Sequence, residues 1–207
     1  MNGSLRTKAV APPVPATPGD LLPGADRGTG DARSVPCVRP RVPRRPSSRQ
    51  LAAVAFVDIA GSTNQLLEHG DHGWSAARAG FHADCARTIT EHRGRMVKTL
   101  GDGLLATFST ASDAIAALRV IRAAAARRDL TVRGAIHAAE IQVLGADISG
   151  VGVHIAARVE ALAAPGELWV TSTVNDVVAG SRVQLDDRGE HELKGFDEPF
   201  RLYAVRP

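Results

Sequence analysis

Cysteine is scarce in this chain of 207 residues, with Cys37 and Cys85 the only two. Two thiols cannot build a disulfide framework, and their spacing fits no zinc site. Long apolar runs are missing too: none approaches the roughly 18 residues that a membrane span needs, so stable membrane insertion is not expected. The stretch from Met1 to Val10 lacks the apolar region of a secretory signal, and the cytoplasm is the expected location. No internal repeat is visible. What remains is enough chain for one ordinary domain with a sizeable core.

Charge and proline are both unevenly spread. Residues 1–50 carry nine Arg and Lys against three Asp, a balance of +6, in a chain whose total is +3. The other residues therefore balance at −3, and the basic character belongs to the first segment. That segment also holds nine of the twelve prolines. With no helical or strand period it cannot bury enough apolar surface to offset its ordering entropy. It is expected to be a disordered, Pro/Arg-rich tail over residues 1–50, its Arg39–Pro46 cluster a solvated linker. No nucleic-acid partner is expected of the folded body.

From residue 51 to 207 the pattern is regular. Leu51 to Val57 reads as a strand ending at Asp58, with Ser62 placed to cap a helix whose spacing is clearest from His72 to His92. Arg95–Leu100 and Leu104–Phe108 read as strands joined through Gly101-Asp102-Gly103, an Asp-Gly hairpin signal. Ser109–Arg128 is an alanine-rich helix, Leu130–Val143 a long strand and Gly150–Ala163 a further helix. Glu167–Thr171 is a strand, a short helix follows, and Val183–Val205 holds two or three strands. The predicted class is α/β (α+β), with helices packed on a mixed sheet.

Two carboxylates stand at the ends or turns of apolar strands: Asp58 in Phe56-Val57-Asp58-Ile59, and Asp102 in Leu100-Gly101-Asp102-Gly103. Taken singly, Asp58 reads as a helix cap and Asp102 as a turn residue. Taken together, on neighbouring strand edges, they suit a pair of divalent cations facing a triphosphate. Magnesium keeps one or two carboxylates plus substrate phosphates, and paired cations stabilise both oxygens of an in-line phosphoryl displacement.

Six segments in order then resemble the class III adenylate/guanylate cyclase catalytic domain, bacterial adenylate cyclase type, over about residues 51–206. They are Phe56–Ile59 with Ser62-Thr63, Lys98–Gly103, Arg133–His137, Asp147–Gly150 with Val153–Arg158, Gly166–Leu168 and Glu192–Gly195. The resemblance implies a ferredoxin-like βαββαβ core, and a head-to-tail homodimer with composite sites at its interface. It also implies two divalent cations, Mg²⁺ or Mn²⁺, at the positions of Asp58, Ile59 and Asp102.

In the same family pattern, Lys98 and Asp147 correspond to the residues that read the base. Lysine only donates hydrogen bonds and ionised Asp only accepts them, which suits adenine N1 and its 6-amino group, so ATP is the expected substrate. Arg158 corresponds to the arginine that stabilises transition-state charge, and Lys194 to a lysine on the terminal phosphates. His154 stands where most of the family has Asn bonded to the ribose. Its ring can donate a comparable bond, with a lower rate or a pH dependence as the expected consequence. Ala138-Ala139-Glu140 and Ser62 also depart from the usual pattern. The expected function is an adenylate cyclase, with a cyclase-like binding module and a guanylate cyclase as the alternatives.

Overall fold

A computed structural model describes residues 48–207; the expected tail, apart from its last three residues, lies outside the described residues. The chain runs β1 (Ser48–Ile59), α1 (Ser62–Glu91), β2 (Gly94–Leu100), β3 (Gly103–Phe108), α2 (Ala111–Ala126), β4 (Val132–Leu144) and β5 (Asp147–Ser149). It continues with α3 (Val151–Leu162), β6 (Leu168–Thr171), α4 (Ser172–Val177), β7 (Leu185–His191) and β8 (Phe200–Val205). The strands form one sheet in the order β2-β3-β1-β4-β6-β8-β7, with β5 paired to β4. β4 and β6 run parallel and the other pairs antiparallel, so the sheet is mixed as expected. The first six elements, ordered β2-β3-β1-β4 in the sheet, are the βαββαβ core that the resemblance implies.

Side-chain alternation along β1 explains the layers. Ala53, Ala55, Val57 and Ile59 face one core with Phe81, Cys85 and Ile89 of α1 and Ile115, Leu118 and Ile121 of α2. Ala52, Val54 and Phe56 face a second core with Ile148 of β5 and Ala156 of α3. Continuing that alternation puts Asp58 on the α3 side. Both faces are covered, which is why β1 reads as an almost unbroken apolar run.

Helix ends follow local chemistry, with one correction. Thr110 caps α2 by accepting from Asp113 N at 3.1 Å, a contact worth about 1 kcal/mol. Ser62 does not cap α1: Gly61 takes that place in a left-handed conformation, with no side-chain bond. α1 also extends ten residues upstream of His72, broken at Gly70, whose φ of 68° and ψ of 169° are not helical. The apolar spacing is readable only beyond that break. At the other end, Val183–Val205 resolves into two strands, β7 and β8.

His137 on β4 is buried and bonded through Nδ1 to Thr171 Oγ1 at 2.8 Å. Burial lowers its pKa to about 4 from the ordinary 6.5. The unfolded chain therefore takes up a proton between those values and the folded chain does not. The stabilising contribution is complete above about pH 6.5 and is lost as pH falls toward 4, on the order of 3 kcal/mol in all. Melting temperature is expected to fall more steeply between about pH 7.5 and 4.5 in the wild type than in His137→Gln.

Candidate active site

Asp58 sits at the end of β1 directly across from Arg133 of β4. Arg133 Nη2 donates to Asp58 Oδ2 at 3.1 Å, while its Nε lies 2.7 Å from Glu160 Oε1 on α3. Burial raises the Glu160 carboxyl above the ordinary glutamate range, and the Arg133 charge pulls the other way. Sequence reasoning missed both residues as partners of Asp58. Arg133 was visible in the Arg133–His137 segment, but nothing in its spacing says that it lies opposite Asp58.

Asp102 lies on the β2–β3 turn, made possible by Gly101 at φ +64°. Arg78 Nη1 of α1 donates to Asp102 Oδ1 at 3.4 Å, and His82 Nε2 lies 3.3 Å from the Asp102 carbonyl oxygen. Neither α1 residue was singled out from sequence, since helical spacing says nothing about which turn a side chain meets. Gly103 brings the two acidic segments together. A Cβ there would lie 2.6 Å from Val57 O and 3.0 Å from Asp58 Oδ1, so only glycine leaves the space beside that carboxylate open.

The donor set fits hard cations. Asp58 and Asp102 are both partly exposed oxygen donors, each facing an arginine. Ile59 has a buried apolar side chain, so its main-chain carbonyl is the group it can offer. Among the described residues no three His, Cys, Asp or Glu side chains converge. A cation here would complete its shell with substrate oxygens, as magnesium commonly does.

Lys98 and Asp147, the two residues expected to read the base, pair with each other in an exposed ion pair: Lys98 Nζ lies 2.8 Å from both Asp147 oxygens. The β2–β3 register shifts between Met96 and Lys98, the kind of irregularity that re-aims side chains, and Lys98 reaches Asp147 on β5. β5, too short to be read from sequence, carries Asp147. The Lys98 ammonium, followed by the Ile148 N–H, holds the Asp147 carboxyl below the usual carboxylate range. Both side chains are about half exposed, so the pair adds little stability.

His154 and Arg158, one helical turn apart on α3, line an open groove of about 290 Å³ with Val151, Lys194, Gly195 and Phe196. Arg158 Nε donates to the Lys194 carbonyl at 3.4 Å. Gly152 lets α3 sit this low on β4, for a Cβ there would meet Ala139 Cβ at 2.3 Å. The predicted residues thus gather into three open groups within one chain: the Asp58–Asp102 edge, the Lys98–Asp147 pair and the α3 groove. Cys85, by contrast, is buried, with its thiol pushed up to about 12 by burial.

Comparison with known proteins bears on this arrangement. A family model described as the adenylate and guanylate cyclase catalytic domain matches residues 45–206. A Rhizobium meliloti (strain 1021) protein provisionally named adenylate cyclase 3 is 31% identical, over 77% of this chain and 29% of its own length. The chain spans 29% to 61% of the length of the first curated relatives it matches. The adenylyl cyclase CyaB of P. aeruginosa superposes with a TM-score of 0.74 at 20% identity, covering 79% of this chain and 97% of that one. An adenylate/guanylate cyclase/hydrolase from Silicibacter pomeroyi superposes at 0.69 with 27% identity, covering 78% and 99%.

Proposed function

This chain belongs to the adenylate and guanylate cyclase catalytic domain family, and we propose that it converts ATP to 3′,5′-cyclic AMP and pyrophosphate at sites shared between two copies of itself. The observation that carries the choice of ATP is the Lys98–Asp147 pair, one donor-only and one acceptor-only side chain within 2.8 Å. Adenine offers an acceptor at N1 and a donor at its 6-amino group, and guanine reverses both. The pair contributes little to stability, and recognition of the base is the role this reading gives it.

Two divalent cations, Mg²⁺ or Mn²⁺, held by Asp58, Asp102 and the Ile59 carbonyl would activate the ribose 3′-hydroxyl and offset the triphosphate charge. The chain's own groups do the rest. His154 donates to the ribose and orients it, placing the 3′-oxygen in line with the α-phosphate. Arg158 stabilises charge that develops on the α-phosphate and the departing pyrophosphate. Lys194 holds the terminal phosphates. No covalent nucleophile is required, in keeping with the inert position of Cys85.

A second reading, a module that binds nucleotide without turning it over, is favoured by one observation: His154 in place of the family's usual Asn. The two readings separate on turnover. In the full chain with Mn²⁺, Lys98→Ala is expected to lower kcat/KM for ATP by about a hundredfold with an unchanged melting temperature. An unaltered kcat/KM would remove Lys98 from base recognition.

A further inference from the structure

Asp58 is tied to α3 through a single arginine. The Arg133 guanidinium is a planar fork with five donors in fixed directions. One edge, Nη2, donates to Asp58 at 3.1 Å, and Nε faces Glu160 Oε1 at 2.7 Å. Arg133 Nε and Glu160 Oε1 are both shut off from solvent and neither makes a hydrogen bond in good geometry, so their 2.7 Å contact is an ion pair that water does not replace. Asp58 and Glu160 are the two anions that Arg133 meets among the described residues.

We infer that Glu160 is a positioning residue for the cation site: it holds Arg133 from α3 and sets how strongly that guanidinium competes with a cation for Asp58. The inference rests on the reading of Asp58 as a cation ligand. With Glu160 charged, Arg133 is shared between two carboxylates, and a cation can take Asp58 while the arginine remains paired. With Glu160 neutral, Asp58 is the one anion left to Arg133, and a cation must displace it. Glu160 lies two residues beyond Arg158, so the same tie fixes the helix that carries Arg158 and His154 to the strand that carries Asp58. Glu160 itself touches neither cation nor nucleotide.

The test is Mn²⁺ binding to the full chain without nucleotide, read from the paramagnetic resonance of free Mn²⁺, with melting temperature measured in parallel. Glu160→Gln is expected to weaken Mn²⁺ binding by about tenfold. The double variant Arg133→Gln/Glu160→Gln, which removes the competitor, is expected to return within about threefold of the wild type. A structural role for Glu160 alone would not be rescued by deleting a second charge. Binding by Glu160→Gln equal to that of the wild type, or a double variant no better than the single, overturns the inference. Should Glu160→Gln fail to fold, the double variant decides alone, wild-type affinity supporting the inference and weakened affinity overturning it. Asp58→Asn separates this from the underlying reading. If Asp58→Asn binds Mn²⁺ as the wild type does, the cation site itself is misassigned and the inference falls with it.

Discussion

Asp102→Asn is expected to lower cyclic nucleotide formation by roughly a thousandfold or more at saturating Mn²⁺, with the fold intact. The substitution keeps size and shape and removes one negative charge from a partly exposed turn. Its ion-pair partner, Arg78, lies 3.4 Å away with its side chain 40% exposed. A pair of that kind contributes about 0 to 1 kcal/mol, so melting temperature should move little. The loss would fall on kcat, because the charge matters most when the triphosphate redistributes its own. Steady-state rates and thermal melts of the same preparation check both halves. A loss of tenfold or less at saturating Mn²⁺ would take Asp102 out of the chemistry.

The second large effect is a gain. Asp58→Ala and Lys98→Ala are each expected to keep about a hundredth of wild-type activity or less at subsaturating ATP, and to recover about a quarter of it when mixed in equal amounts. The fraction follows from symmetry: random exchange makes half of the dimers mixed, and each mixed dimer has one intact site of two. The geometry that motivates this is the openness of the groups within one chain. His154, Arg158 and Lys194 are exposed, in a groove that one chain leaves uncovered, and Lys98 and Asp147 are about half exposed. A second copy laid head to tail would bring its own Asp58 and Asp102 against them. Activity at background in a mixture of verified, exchanging dimers would contradict shared sites.

Much of this was legible in the sequence because the informative residues sit in short, regular segments. Apolar alternation in β1 and the Gly101-Asp102-Gly103 turn fix where the two carboxylates stand, and the i, i+4 spacing of His154 and Arg158 puts them on one face of α3. Other features depend on contacts between distant segments and leave no local trace. Arg133 meets Asp58 through strand register, Glu160 reaches Arg133 from a helix laid across the sheet, and Arg78 meets Asp102 across a helix–turn contact. β5 has three residues, below the length at which alternation can be read. Gly61 rather than Ser62 caps α1 because the chain leaves β1 in a left-handed turn, which the run of residues does not announce.

The central claim is that this chain makes cyclic AMP from ATP, and product identity tests it most directly. The full chain would be incubated with equal ATP and GTP and saturating Mn²⁺, and both cyclic nucleotides quantified by mass spectrometry, beside Asp102→Asn. The account predicts cyclic AMP in clear excess over cyclic GMP, and neither above background in the variant. Cyclic GMP in excess would contradict the Lys98–Asp147 reading of the base, and no product from a folded, ATP-binding dimer would contradict catalysis itself.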